Sequence, residues 1–402
     1  MSGDAELASR MRALKRPATG VVFERAAELV RAGVDLISFA VGEPDFDTPG
    51  PIREAAKRAI DAGASRYTET QGVLPLREAI CTDSRRRRGG IAHNPDQVVV
   101  SVGAKHTLFN IAQALYDPGD EVIIPTPSWV SYPEQAQLAG ARPVLVPCGE
   151  QEGFLLTAEA LRQAVSERTR ALVLCSPGNP TGSAYTEGQL FSLAAVAREH
   201  DFWIVSDEVY CQLTYDGFRQ RSILEVAPDL RERIAVVDGV SKSHAMTGWR
   251  IGWMLGSERL ATACAIIQSQ VVSNPTAVAQ HAALAALTGE QESVEQMRAV
   301  FEQRRDRMVS GINAIEGLSC EMPRGAFYAF ADARGLLGKR TRQGILQDDA
   351  QISGWLLEEA RVAVVPGSAF GAPGYLRFSF AVSLERIEAG LRRVADATKR
   401  LG

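Results

Sequence analysis

Val240-Ser241-Lys242-Ser243-His244-Ala245-Met246-Thr247-Gly248-Trp249-Arg250-Ile251-Gly252-Trp253 sets one lysine among small and apolar residues, with an arginine eight positions on at the mouth of a predicted strand. A lysine amine in a poorly hydrated pocket loses basicity and becomes a nucleophile toward carbonyls. A guanidinium suits a phosphate, because its planar fork matches the anion's oxygens. Schiff-base lysine plus phosphate-binding arginine is what pyridoxal phosphate requires of a protein. Taken alone, the run reads equally well as a lysine on a turn followed by a snorkelling arginine.

Outward from this run, short β-rich stretches alternate with helix-length amphipathic ones. Strands are predicted at Gln97–Ser101, Glu121–Ile124, Ala171–Cys175, Phe202–Ser206, Ile234–Asp238 and Ile251–Leu255, with helices such as Lys105–Leu115 and Glu187–Glu199 between them. That order predicts an α/β fold whose sheet is mainly parallel and covered by helices on both faces. Such sheets bind ligands at the carboxyl ends of their strands. The last hundred residues read as an α+β module, with helices over Glu302–Ile315, Ile352–Ala360 and Leu384–Thr398 and strands at Phe327–Phe330 and Leu376–Phe380. The N-terminal forty residues precede the alternation and are expected to pack on that module. The expected division is a large domain over 49–304 and a small one built from 1–48 and 305–402.

Composition narrows the class. An apolar share of 46% and a charged share of 23% over 402 residues fit a globular enzyme. A net charge of −4 gives no support to nucleic-acid or membrane binding. The run Arg85-Arg86-Arg87-Arg88 before Gly89-Gly90 reads as a solvated helix end with a glycine cap. Six cysteines with no short pair spacing argue against a zinc site or a disulfide framework and favour reduced thiols in a cytoplasm. The polar, basic start predicts no secretory signal, and no apolar stretch approaches the roughly 20 residues that span a bilayer.

Three further motifs follow predicted strands. Ser101-Val102-Gly103-Ala104-Lys105-His106-Thr107 hands a strand over to a helix, where small residues let backbone N–H groups approach an anion. Neither G-x-G-x-x-G nor G-x-x-x-x-G-K-[ST] occurs, which removes the main support for a dinucleotide or P-loop site. Ser176-Pro177-Gly178-Asn179-Pro180-Thr181-Gly182 is a rigid turn able to hold an asparagine amide at a fixed place. In Val205-Ser206-Asp207-Glu208-Val209-Tyr210 the aspartate is either a helix N-cap or a carboxylate that keeps a pyridine nitrogen protonated, with a tyrosine three residues on reaching the ring hydroxyl.

Together these stretches resemble the fold-type-I pyridoxal-phosphate enzymes, specifically class I/II aminotransferases of the aspartate aminotransferase family. The resemblance runs nearly end to end. It includes Gly42-Glu43-Pro44-Asp45-Phe46, Tyr67 with Gln71-Gly72, Asp117-Pro118-Gly119-Asp120, Trp129-Val130-Ser131-Tyr132-Pro133, Pro366-Gly367 and Arg377. It implies a homodimer with shared active sites and a two-half transamination between an L-amino acid and a 2-oxo acid. Carried onto this chain, it implies that Lys242 forms the Schiff base and later moves the α-carbon proton. Asp207 would partner the pyridine nitrogen, Tyr210 and Asn179 the ring oxygen, and Trp129 the ring face. Gly103, Ala104, Lys105, Ser241 and Arg250 would hold the phosphate, with Tyr67 serving the neighbouring subunit's phosphate. Arg377, Asn179, Trp129 and the backbone at Gly42 would grip the substrate. One departure stands out: Gly239, three residues before the lysine, replaces a serine that many members use for the phosphate.

Substrate choice rests on smaller signals. Many members read a second carboxylate with an arginine four residues before a Ser-Asn-Pro turn, but here Ser269 precedes Ser273-Asn274-Pro275. The chain is more similar to a bacterial subgroup acting on aspartate, glutamate and sometimes prephenate. That subgroup uses a lysine matched by Lys105 and an N-terminal segment matched by Lys15 and Thr19, although Arg16-Pro17 departs from its usual pattern. Lys105 is alternatively only a neutraliser of the phosphate loop. The same fold and cofactor also run β-elimination, decarboxylation and cyclisation, so a lyase or cyclase of secondary metabolism is the rival reading. The effector domain of a transcription regulator is a more distant one.

Overall fold

The structure, a computed structural model, describes residues 8–12, 14, 18–342 and 344–401. Lys15 lies outside the described residues, and Thr19 is described only as backbone in the helix Ala18–Arg31.

Seven strands form the central sheet: β1 (Val98–Val102), β2 (Glu121–Thr126), β3 (Arg142–Pro147), β4 (Thr169–Cys175), β5 (Trp203–Asp207), β6 (Ile234–Gly239) and β7 (Ile251–Leu255). Their order is β1-β7-β6-β5-β4-β2-β3, parallel throughout except for β7, which runs against both neighbours. The predicted strands are all present, with ends shifted by a residue or two. The period of two explains how an almost unbroken apolar run is used. Val98 and Val100 face one helical layer that includes Leu190 and Ala282, while Val99 faces the other with Ile111 and Ala261. Edge strand β3 was not foreseen. It is half-exposed, and its short Val144-Leu145-Val146 run is bracketed by Pro143 and Pro147, which argue against a strand.

The C-terminal elements also appear, with adjusted bounds. The helix expected from Glu302 begins ten residues earlier, at Glu292. The one expected over Ile352–Ala360 is an α-helix over Asp349–Trp355 that ends in a π turn over Leu356–Ala360. Strands Tyr328–Asp332 and Tyr375–Ser379 pair antiparallel. The N-terminal segment does pack on this part: Ile37–Ser38 pairs with Val362–Ala363, and Phe39 joins Phe378 and Leu391 in one core. Among the described residues, no helix is long and apolar enough to cross a membrane.

The register places the site. Val102 at the end of β1 pairs with Ile251 at the start of β7, so Gly103 and Arg250 meet. Cys175 pairs with Asp207, and Gly239 with Gly252. One edge of the sheet thus collects the ends of β1, β4, β5 and β6 with the start of β7.

Candidate active site

A cavity of about 510 Å³ opens at that edge. Of the residues singled out in the sequence, Gly42, Ala104, Lys105, Trp129, Asn179, Asp207, Tyr210, Ser241, Lys242, Arg250 and Arg377 line it. Gly103 stands directly behind the wall. Tyr67 does not contribute within one chain; its side chain is outside the cavity and 88% exposed.

At one pole, helix α1 (Ala104–Leu115) starts from Gly103. The backbone there has φ +79°, and a Cβ on Gly103 would come within 2.4 Å of Arg250 Nη2, so only glycine lets the guanidinium sit against this loop. The first backbone donors bonded inside the helix are His106 and Thr107, both to Gly103 O, which leaves the amides of Ala104 and Lys105 to point outward. Arg250 is itself fixed by donating from Nη1 to Thr247 O at 2.7 Å. Free amides, a helix N-terminus, Ser241 and Arg250 make a cradle for a phosphate. The glycine at 239 has a physical reason as well: a Cβ there would lie 3.0 Å from Ile251 O and 3.1 Å from Gly252 Cα. A Cβ on Gly252 would reach Ala104 N at 2.3 Å, so the two glycines let β6, β7 and the cradle close together.

At the other pole, Asp207 is buried at the end of β5. Tyr132 donates to its Oδ2 at 2.7 Å, and Val209 N to its Oδ1 at 3.3 Å. No helix follows, so the N-cap reading fails for want of a helix to cap. Burial pushes its carboxyl up to about 6, against the lowering effect of the Tyr132 hydrogen bond. A carboxylate in such a place favours a cationic N–H as partner. Between the poles, Lys242 Nζ donates to Gly42 O at 2.6 Å. Burial lowers its pKa to about 8, with Glu43 pulling the other way. That brings a neutral, nucleophilic amine within reach of ordinary pH.

Arg377 reaches in from the strand Tyr375–Ser379 and is only 3% exposed. It donates to Asn179 Oδ1 at 3.0 Å and to Ala40 O at 2.7 Å, while its Nε has no partner. No ion pair balances it among the described residues. Asn179 gives its oxygen to Arg377, which leaves its amide nitrogen to donate into the cavity. Lys105 is exposed, with Nζ 5.0 Å above the Trp129 ring. Burial of the ammonium and then the charge of Arg250 lower its pKa. Ser269 is exposed on the helix Glu258–Val271, away from the lining.

Sequence reasoning missed several lining residues: Tyr132, Cys175, Glu43, Thr247 and Tyr328. Tyr132 sat inside a quoted motif without a role, and its place three residues after Trp129 was the available signal. Nothing in the sequence separated Tyr328 from ordinary strand aromatics. One reading holds for only half of its residues: Arg85 and Arg86 are exposed, as expected of a solvated helix end. Arg87 and Arg88 are not a solvated helix end: Arg88 is 2% exposed and donates to Glu208 at 2.8 Å and Asp238 at 2.7 Å, while Arg87 pairs with Asp83 and Asp238. Three buried carboxylates supply the charge that the sequence assigned to water. The glycine stop itself is present, with Gly90 N donating to Arg85 O at 3.0 Å.

The residues fit pyridoxal phosphate at each of its functional groups: a cradle that any Cβ would fill for the phosphate, a buried carboxylate for the ring nitrogen, and a desolvated lysine for the aldehyde. An α/β sheet bearing this site at its carboxyl edge defines a pyridoxal-phosphate-dependent enzyme of fold type I. Comparison with known proteins narrows the class: the family model for aminotransferase class I and II matches residues 34–394, and the chain belongs to that family. It is 46% identical over 392 residues to the aspartate aminotransferase of Geobacillus stearothermophilus, covering 97% of this chain and 98% of the relative. It is 42% identical over 393 residues to a probable aspartate/prephenate aminotransferase of Rickettsia bellii, again covering 97% and 98%. Among solved structures, the Rhizobium meliloti aspartate aminotransferase superposes with a TM-score of 0.96 at 42% identity, covering 99% of this chain and 100% of that one. The Thermus thermophilus aspartate aminotransferase with maleate gives 0.92 at 42% identity, covering 98% and 100%. The chain is therefore an aminotransferase that uses pyridoxal 5′-phosphate to move an amino group between an amino acid and a 2-oxo acid.

Proposed function

We propose that the amino acids are dicarboxylic, aspartate or glutamate, and that the enzyme works as a homodimer. Among the described residues, four cations line the cavity; with Lys242 and Arg250 assigned to the cofactor, the observation that carries the substrate reading is the remaining pair without counter-ions. Arg377 is buried with no acidic partner, and Lys105 has no ion pair among the described residues. The buried Arg377 is costly without an anion, and the exposed Lys105 at the cavity wall adds a second positive charge, so both favour anionic groups. Two of them suit two carboxylates. Relatives named for aspartate and prephenate, and a solved relative holding the dicarboxylate maleate, support the same reading.

When bound, pyridoxal phosphate supplies the carbonyl that takes up the amino group and the ring that accepts electrons from the α-carbon. The chain's own groups do the rest. Lys242 bonds the cofactor through Nζ and, once released, carries the α-proton. Asp207, held by Tyr132, keeps a proton on the ring nitrogen. Tyr210 and the Asn179 amide would hold the ring oxygen, and Trp129 would pack on the ring. The amides of Ala104 and Lys105, with Ser241 and Arg250, would hold the phosphate; the Gly103 amide is taken by Ser101 O, so Gly103 serves by leaving room for Arg250. Arg377, Asn179 and Gly42 take the α-carboxylate, and Lys105, with Lys15 and Thr19, the distal one. Tyr67 is assigned to the partner subunit's phosphate. Its 88% exposure and the exposed apolar Ile60, Leu74 and Val271 support a surface that a second copy covers. The division into 49–304 and 1–48 with 305–402 stands as part of this proposal, with Gly42, Tyr328 and Arg377 coming from the smaller unit. So does a cytoplasmic location, which six free cysteines favour.

The test is a donor series read as single half-reactions, each amino acid alone converting the holoenzyme's pyridoxal form to the pyridoxamine form, with Lys105→Ala beside the parent enzyme. Losing a charge-assisted hydrogen bond costs roughly 1.5–3 kcal/mol, about 10- to 150-fold in kcat/KM. Aspartate and glutamate should fall by that factor while alanine and phenylalanine are spared. An equal fall for all donors would reduce Lys105 to a cofactor ligand and remove the dicarboxylate assignment.

A further inference from the structure

Tyr328 touches residues on both sides of the chemistry, yet no role has been given to it above. It is fully buried at the start of its strand and lines the cavity. Its hydroxyl lies 3.0 Å from the Tyr210 hydroxyl, and either could donate. The Arg377 guanidinium stacks over its ring, 4.5 Å from the centroid, with Phe370 on a further side at 5.1 Å. A Cβ on Gly42 would come within 3.2 Å of its hydroxyl, so the glycine leaves that oxygen its room.

We propose that Tyr328 is a positioning residue with two separable parts: its ring props Arg377 for the substrate α-carboxylate, and its hydroxyl donates to Tyr210 so that the Tyr210 hydrogen points into the cavity. The second part rests on the reading of Tyr210 as facing the cofactor's ring oxygen. The direction of donation follows from charge. A cation stacked on a phenol draws electron density from it and makes the hydroxyl the better donor. The charged and titratable groups facing the two tyrosines are Arg377, Lys242 and Cys175. Arg377 sits 4.5 Å from the Tyr328 ring, closer than Lys242 sits to that of Tyr210, at 5.8 Å. In keeping with this, burial raises both phenols, but Arg377 holds Tyr328 back and Tyr210 rises further. Once Tyr210 accepts from Tyr328, its own hydrogen is left for a third atom, and a hydroxyl that accepts one hydrogen bond donates the next more strongly.

Tyr328→Phe deletes the hydroxyl and keeps the ring; Tyr328→Leu deletes both; Tyr210→Phe is the reference. Two quantities are read on the holoenzymes: the pH midpoint of the bound cofactor's visible absorbance, and KM separately from kcat for an acidic and a neutral donor. A hydrogen bond to the ring oxygen stabilises its negative charge and so favours loss of the neighbouring proton, and weakening that bond raises the midpoint. Tyr328→Phe should raise it by roughly 0.4 to 1 pH unit, in the direction of Tyr210→Phe but by less, with KM within about twofold of the parent. Tyr328→Leu should give the same shift and also raise KM for both donors. If Tyr210→Phe moves the midpoint and Tyr328→Phe leaves it in place, the hydroxyl's role is overturned. If Tyr210→Phe does not move it, the inference falls together with the assignment of Tyr210. Unchanged KM in Tyr328→Leu would overturn the prop. Should that variant not fold, Tyr328→Met replaces it: it too removes the ring beneath Arg377 and should raise KM for both donors, and an unchanged KM overturns the prop equally.

Discussion

Two sets of buried arginines lie on opposite sides of the same strand ends and differ in what balances them. Arg87 and Arg88 meet Asp83, Glu208 and Asp238, and the carboxylates are themselves held: Glu208 by Ser206 and Ser222, and Asp238 by Gly239 N. Arg377 meets only an amide oxygen, a backbone carbonyl and two aromatic rings. A buried cation with its anions supplied is part of the scaffold. A buried cation left short of one stabilises little by itself and waits for a ligand. The paired set also sits one residue beyond Asp207 and just before Gly239, so it pins the two strand ends that aim Asp207 and Lys242 into the cavity.

The contrast breaks most easily at Arg377. Arg377→Met should lower kcat/KM for all amino donors by roughly 100- to 1,000-fold, because the α-carboxylate loses a desolvated, charge-assisted partner worth about 3–4 kcal/mol. Its urea-unfolding stability should stay within about 1 kcal/mol of the parent or rise, since an unbalanced charge leaves the interior. Arg88→Met should behave in the opposite way. Glu208 and Asp238 would stay buried without that partner, at a cost of about 3–5 kcal/mol in the same unfolding measurement. Equal stability losses in the two variants would erase the distinction between them.

Asp207 sharpens the comparison through pH. Its folded pKa of about 6 lies above the ordinary carboxyl value of 3.8, so between these the folded state holds more protons and stability falls as pH rises. The contribution should level off above pH 6, at a cost of about 3 kcal/mol to the cofactor-free protein. Asp207→Asn should therefore be more stable than the parent at pH 8 and indistinguishable from it near pH 4, read by urea unfolding of both apoproteins.

Much of this was legible in the sequence, and for a physical reason. Strands buried on both faces must be apolar throughout, so β1, β4, β5, β6 and β7 announce themselves, and the motifs at their ends carry Gly103, Asn179, Asp207 and Lys242 to one edge. What was not legible depends on partners distant along the chain. Arg87 and Arg88 look solvated until β5 and β6 bring Glu208 and Asp238 beneath them. Tyr132 and Tyr328 look like core aromatics until their hydroxyls meet Asp207 and Tyr210. Edge strand β3 is hidden by the two prolines that bracket its three-residue apolar run, tolerated there because an edge strand leaves one side unpaired. Gly239 read as a missing serine, but the backbone of β7 lies so close that a side chain there would be cramped.

The central claim is that Lys242, lowered to about 8 by burial and standing between the phosphate cradle and Asp207, is the residue that bonds the cofactor. Borohydride reduction of the holoenzyme followed by peptide mapping tests it directly. The pyridoxyl mass is expected on Lys242 alone, and its appearance on Lys105 or any other lysine would contradict the account.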